Sequence, residues 1–167
     1  FGTAGGALTL LDTTVTDASG DYALDIPDNY VGPVKLVITA VAGTTMLCDA
    51  PAGCGGVAFG SDMPMQLGTT MQAVMRNVLA NQPVNIHVTP ITNMAAAHAD
   101  SAGLSASSIA VANEKVASLF KLPGDFVSIE PTDVTDADSV AAASSSAINY
   151  AVLVGAFAGG SAADINS

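Results

Sequence analysis

The run from Thr13 to Ala42, TTVTDASGDYALDIPDNYVGPVKLVITAVA, constrains the fold more than any other part of the chain. Thr14-Val15-Thr16 is a short β-branched strand. Asp17-Ala18-Ser19-Gly20 is a turn in which Asp bonds its own backbone and Gly supplies a positive φ. Tyr22-Ala23-Leu24-Asp25-Ile26 alternates, with Tyr22, Leu24 and Ile26 on one face and Ala23 and Asp25 on the other. Pro27-Asp28-Asn29 breaks this strand, Gly32-Pro33 turns the chain, and Val34–Val41 reads as a third strand. Only one short apolar run, Ala7–Leu11, precedes the unit, so the sheet reads as a strand short. The spacing predicts the edge of a β-sandwich.

Further strands are expected at Thr44–Leu47, weakly around Val57–Phe59, and at Thr70–Leu79 and Val84–Val88. Thr70–Leu79 also admits a helical reading. Beyond Thr89 the apolar period changes from two to helical. Thr89 can cap a helix and Pro90 fits its first turn, where a missing N–H costs nothing. Ile91, Met94, Ala95 and His98 then repeat at helical spacing. A second helix opens near Ser105–Ser108 with the stripe Ile109, Ala112, Val116, Leu119 and Phe120, and Leu122-Pro123-Gly124 stops it. Phe126–Ile129 reads as extended, and a last helix spans about Ala137–Phe157. The expected architecture is α+β. Residues 1–88 form an immunoglobulin- or transthyretin-like β-sandwich, and residues 89–167 form a three-helix subdomain. No long linker separates His87 from Pro90, so the two are expected to share a core.

Ionic balance narrows the function. Fifteen acidic residues against four basic ones leave a net charge of −11, which excludes a phosphate-backbone ligand and hence nucleic acid. Only 11% of residues are charged and 50% are hydrophobic, against about 25% charged in ordinary globular proteins. The longest apolar helix candidate, Ala147–Gly160, contains Asn149 and is too short for a span of about 20 residues. No membrane span is expected, and the low charge points to burial against other copies of the chain in a homo-oligomer or filament. An acidic, Lys-poor, Thr/Ser/Gly/Ala-rich composition suits an exported protein, extracellular or at the cell surface. The absence of a signal-peptide pattern is what a mature exported chain would show.

Cys48 and Cys54 flank the turn-forming segment Asp-Ala-Pro-Ala-Gly, short enough to bring two sulfurs within bonding reach. A disulfide is the expectation, and two unpaired thiols are the alternative. Neither a metal nor another cofactor is expected, since no further Cys or His lies at ligand spacing. His87 and His98 are the only histidines, and no G-x-S-x-G accompanies them, so no catalytic residues are assigned. The carboxylates Asp17/Asp21 and Asp133/Asp136/Asp138 allow a calcium reading, but turn and helix-cap roles account for them as well. Met46, Met63, Met65, Met71, Met75 and Met94 suit core packing or, over Met63–Met75, a subunit interface. The leader Phe1, Gly2, Thr3, Ala4, Gly5 and Gly6 is the expected assembly segment, reaching out to pair with a neighbour's incomplete sheet.

The order of elements resembles a type of bacterial exported or surface lipoprotein with a carboxypeptidase-regulatory-like (transthyretin-like) β-sandwich. The resemblance is carried by TTVTDASGDYALDIP, a cysteine-bearing loop, VNIHVTPITNMAAA, and then IAVANEKVASLFKL, VSIEPTDVTDADS and INYAVLVGAF. It covers most of the chain and implies an extracytoplasmic, non-enzymatic module. The chain departs from that pattern in lacking the strand that usually precedes the one corresponding to Ala7–Leu11. A structural subunit of a cell-surface assembly is thus expected, with a glycan- or peptide-binding module as the alternative. The lack of Trp and the presence of only three Tyr favour assembly.

Overall fold

The computed structural model describes residues 1–3, 7–79 and 81–159 as an α+β protein. Four strands, β1 (Gly32–Thr39), β2 (Thr45–Leu47), β3 (Asp62–Pro64) and β4 (Thr70–Val78), are followed by four helices. These are α1 (Pro90–Ser101), α2 (Ala106–Phe120), α3 (Ala137–Ala142) and α4 (Ser145–Gly159). β1 pairs antiparallel with β4, with Leu36 opposite Ala73 and Lys35 opposite Val74. β2 pairs antiparallel with β3 around Met46 and Met63. Thr70–Val78 is therefore a strand and not a helix.

A large β-sandwich is not seen among the described residues, where the sheets have two strands each. Ala7–Leu11, Thr14–Thr16, Tyr22–Ile26 and Val84–Val88 carry no ladder, and Val57 forms only an isolated bridge with Cys54. Their alternation selects which side chains share a face, but it does not select a partner strand. The turn at Asp17–Gly20 nevertheless forms as its residues dictate. Asp17 Oδ1 accepts from Ser19 N (2.8 Å) and Asp21 N (3.0 Å), and Gly20 has φ +85°.

The helix starts follow local chemistry. Thr89 caps α1 through a reciprocal pair with Thr92, and Ser105 Oγ accepts from Ser108 N at 3.1 Å at the head of α2. The expected single last helix is two. Asp136 caps α3, the backbone becomes extended at Ala143, and Ser144 Oγ accepts from Ala147 N to start α4. A run of serines offers the backbone local partners that compete with an uninterrupted helix. Phe126–Ser128 closes into a 3-10 turn instead of lying extended.

Sheet and helices share one core. Ala73 of β4 packs with Ile91, Ala95, Val116, Phe126 and Tyr150, while its neighbour Val74, on the other face, packs with Ala96, Ala99, Ile109 and Ala112. The helices α1 and α2 thus sit against the rim of β4 and reach both faces of the sheet. No described helix is long and apolar enough to cross a membrane.

Cys48 and Cys54 form a disulfide with Cα atoms 5.7 Å apart, buried with Ala50 under Val57 and Met63. Its loop seats against α4, where a Cβ on Gly155 would stand 2.9 Å from the Asp49 carbonyl oxygen. A closed loop of this length (sequence separation 6) restrains the unfolded chain by about 2 kcal/mol. Replacing both cysteines with alanine is expected to lower the unfolding free energy by about that amount in a urea titration. An unchanged midpoint would show that the bridge contributes no stability.

Candidate functional site

The two edges of the β1–β4 sheet are treated very differently. On the β4 side, helix side chains stand in for a neighbouring strand. Asn93 Oδ1 accepts from Gln72 N (3.0 Å), the Thr92 hydroxyl donates to Gln72 O (3.2 Å), and Asn113 Nδ2 donates to Val74 O (3.2 Å). Gln72 and Val74 turn their backbone groups away from β1, so these contacts bond three of their four outward groups and close the middle of that edge.

The β1 side is covered by the chain's own leader. Lys35 N donates to Phe1 O (2.8 Å), the Phe1 amine donates to Lys35 O (2.9 Å), and Thr3 N donates to Pro33 O (3.1 Å). Burial lowers the pKa of that amine. The Thr3 hydroxyl is buried and donates to Leu104 O at 2.8 Å, which ties the leader to the turn between α1 and α2. Gly2 faces the other way and exchanges two hydrogen bonds with Thr9 (2.8 and 3.0 Å). A Cβ on Gly2 would lie 2.6 Å from the Tyr30 ring, so this position takes only glycine without repacking. The layers therefore run β4, β1, Phe1–Thr3 and the run around Thr9, and beyond Thr9 no backbone partner is present among the described residues. Of the assembly segment expected from sequence, Phe1 and Thr3 are bonded to their own β1 and Gly2 to Thr9 of the same chain, so none of the three reaches outward. Ala4, Gly5 and Gly6 lie outside the described residues.

A second surface is a cleft of about 410 Å³ between Tyr22–Ile26 and Val84–Ile86, floored by Leu36 and Val78. Asp28 is the only ionised side chain among its lining residues. The Tyr22 hydroxyl donates to Ile86 O across the cleft, and burial pushes its pKa up to about 12. Backbone N–H groups of Leu24, Ile26, Val84 and Ile86 make no hydrogen bond among the described residues.

His87 borders a hollow that shares Tyr22, Val84, Asn85 and Ile86 with the cleft, and the other residues singled out from sequence do not line the cleft. His87 N donates to Val127 O, and burial lowers its imidazole pKa against the opposing pull of Glu130 and Asp21. His98 Nε2 lies 3.2 Å from Lys115 Nζ on the exposed side of the helices. Asp133 forms a local turn with Thr135, and Asp136 caps α3, with its hydrogen bonds to Ser139 and Asp138 lowering its pKa. Among the described residues, no group of three or more His, Cys, Asp or Glu side chains could hold a metal ion. Asp49 is held above the ordinary carboxylate range by burial and by the nearby Asp133 charge. Met46 and Met63 pair across β2 and β3, while Met71 and Met75 lie opposite Ile38 and Val34.

Sequence reading missed the edge-bonding residues Thr92, Asn93 and Asn113 and the ion pair of the buried Lys35 with the exposed Asp100 (2.7 Å). A signal existed for each: polar side chains beside the apolar stripes of two helices, and a lone cation inside the apolar run GPVKLVIT. No protein-family model, curated protein or solved structure matches the chain.

Proposed function

We propose that this chain is a non-enzymatic structural subunit of an extracellular or cell-surface assembly, joined to its neighbours by strand exchange. One observation carries the reading. Helix side chains close the middle of the β4 edge of the main sheet, whereas the opposite edge is closed only by Phe1–Thr3 and then ends on unpaired backbone among the described residues. An unprotected edge is a template for another strand. With the Phe1–Gly6 leader of one copy seated on β1 of the next, Phe1 and Thr3 would reproduce in trans the contacts they make in their own chain. Such a contact is head-to-tail and propagates as a filament unless it closes into a ring. The Cys48–Cys54 bridge supports an oxidising compartment, as does the resemblance to transthyretin-like surface modules. Sizing by light scattering and negative-stain microscopy tests the reading. The intact chain is expected to form multimers, and a chain lacking residues 1–6 is expected to lose them. Unchanged multimers would remove the leader as donor, and a monomeric intact chain would end the assembly reading.

One feature favours a second reading, a module that binds peptide or glycan. The nearly uncharged cleft is lined by Tyr22, Tyr30, Asn81, Gln82 and Asn85, side chains that pair hydroxyl or amide chemistry with apolar floor. Saturable binding of a neutral oligosaccharide or extended peptide, abolished by Tyr22→Ala in a variant that remains folded, would favour it over assembly.

A further inference from the structure

The segment Ala7–Leu11, bridged to Gly2 at Thr9, lies beyond Phe1–Thr3 on the β1 side of the main sheet and has the properties of a self-pairing edge. Thr9 turns both its N–H and its C=O toward Gly2. In an antiparallel ladder the flanking residues then turn theirs the opposite way. The backbone groups of Leu8 and Leu10 make no hydrogen bond among the described residues, and their side chains are 48% and 57% exposed. Natural sheets usually blunt such an edge with Lys, Pro or a bulge. The sequence Ala7-Leu8-Thr9-Leu10-Leu11 has none of the first two and carries no charge.

We infer that Ala7–Leu11 pairs antiparallel with the same segment of a second copy about a two-fold axis at Thr9, joining two sheets into one. This rests on the reading of the chain as an assembly subunit and supplies the partner for its open edge. Charge bears on where two copies meet. Chains of net charge −11 repel one another, and this neutral run adds no carboxylate to that repulsion. In the pairing, Leu8 of one copy exchanges hydrogen bonds with Leu10 of the other, and Thr9 faces Thr9. That register sets the two Asp12 residues, the first acids after the run in sequence, about 20 Å apart along the strands at 3.3 Å per residue. Screening at physiological salt acts over about 8 Å, so their repulsion is largely lost. The contact is the same patch on both copies and closes on itself, in contrast to the head-to-tail leader exchange. Used together, the two contacts would build a chain of paired subunits.

Cysteine cross-linking reads the register directly. Facing residues of a pair without mutual hydrogen bonds have Cα atoms about 4.5 Å apart, within disulfide reach. Under mild oxidation Thr9→Cys is expected to give a covalent dimer on a non-reducing gel. Val15→Cys, at a more exposed position (85%), is expected to stay monomeric. In sedimentation velocity Leu10→Pro, which deletes an outward N–H and no internal hydrogen bond, is expected to lower dimer affinity by at least tenfold. Leu10→Lys gives the same readout if the proline variant fails to fold. Equal cross-linking at positions 9 and 15, or a dimer unaffected by Leu10→Lys, would overturn the pairing. Multimers that form without cross-linking at Thr9 would overturn this contact alone and leave the assembly reading standing. A chain that is monomeric at every concentration would overturn both.

Discussion

Phe126→Ala is expected to cost about 3–5 kcal/mol of unfolding free energy, at the upper end of what a single core truncation removes. Phe126 is completely buried in the cluster that joins β4 to the helices. Its ring meets Tyr150 edge-on, with centroids 6.1 Å apart and planes at 88°. An aromatic pair of this geometry adds about 0.5–1.5 kcal/mol to the burial itself. Truncation would leave a cavity bounded by Ala73, Ile91, Ala95 and Val116, and small residues such as Ala73 and Ala95 cannot fold inward to fill it. For a chain of this size the loss corresponds to a fall in melting temperature of roughly 10 °C. Chemical denaturation followed by circular dichroism measures it. A loss below about 1 kcal/mol would show that the 3-10 turn does not anchor the core.

Thr92→Val is expected to cost about 2–4 kcal/mol despite its near-identical volume, because each buried orphan it creates costs about 1–3 kcal/mol. The Thr92 hydroxyl is fully buried, accepts from Thr89 N (2.8 Å), and offers its proton to Thr89 O (3.0 Å) and Gln72 O (3.2 Å). Thr89 in turn accepts from Thr92 N and pairs its hydroxyl with that of Tyr150 at 2.8 Å. Four residues thus connect β4, α1 and α4 through polar contacts inside the core. Valine would leave the Thr89 N–H and the Gln72 carbonyl without this partner. Thr92→Ser, which keeps the hydroxyl, is expected to lose no more than about half as much. Urea titration of the three proteins, with hydrogen exchange at the Thr89 amide, separates loss of the hydroxyl from loss of the methyl. Equal losses in the valine and serine variants would show that packing, and not the hydrogen bonds, matters at this position.

The bonded β4 edge and the bare outer edge bear on function because they are opposite solutions to one problem. Side chains of α1 and α2 bond Gln72 N, Gln72 O and Val74 O, three of the backbone groups a neighbouring strand would bond on β4. Nothing among the described residues bonds those of Leu8 and Leu10. The sequence locates an incomplete sheet in the N-terminal region and a leader beside it. The structure moves the opening one layer outward, because Phe1–Thr3 fills the place next to β1.

What the sequence by itself determined about this protein is what a few adjacent residues can decide. The Asp17–Gly20 turn follows from a carboxylate two residues from its donor and a glycine free to take positive φ. The starts of α1 and α2 follow from Thr89 and Ser105, whose hydroxyls reach the N–H three residues on. The Cys48–Cys54 bridge follows from a loop too short to hold the sulfurs apart. Only the tertiary structure decided which extended runs pair. Tyr22–Ile26 and Val84–Val88 have the alternation of strands, yet they line a cleft, whereas Thr70–Val78, equally readable as a helix, became the strand on which the core is built. It also decided that Lys35 is buried against Asp100, 65 residues away, and that Thr92 and Asn113 close a sheet edge. The physical reason is range. Capping and turn bonds are won or lost within four residues, but a ladder or a long-range ion pair depends on which distant surfaces meet, and that choice belongs to the packed chain as a whole.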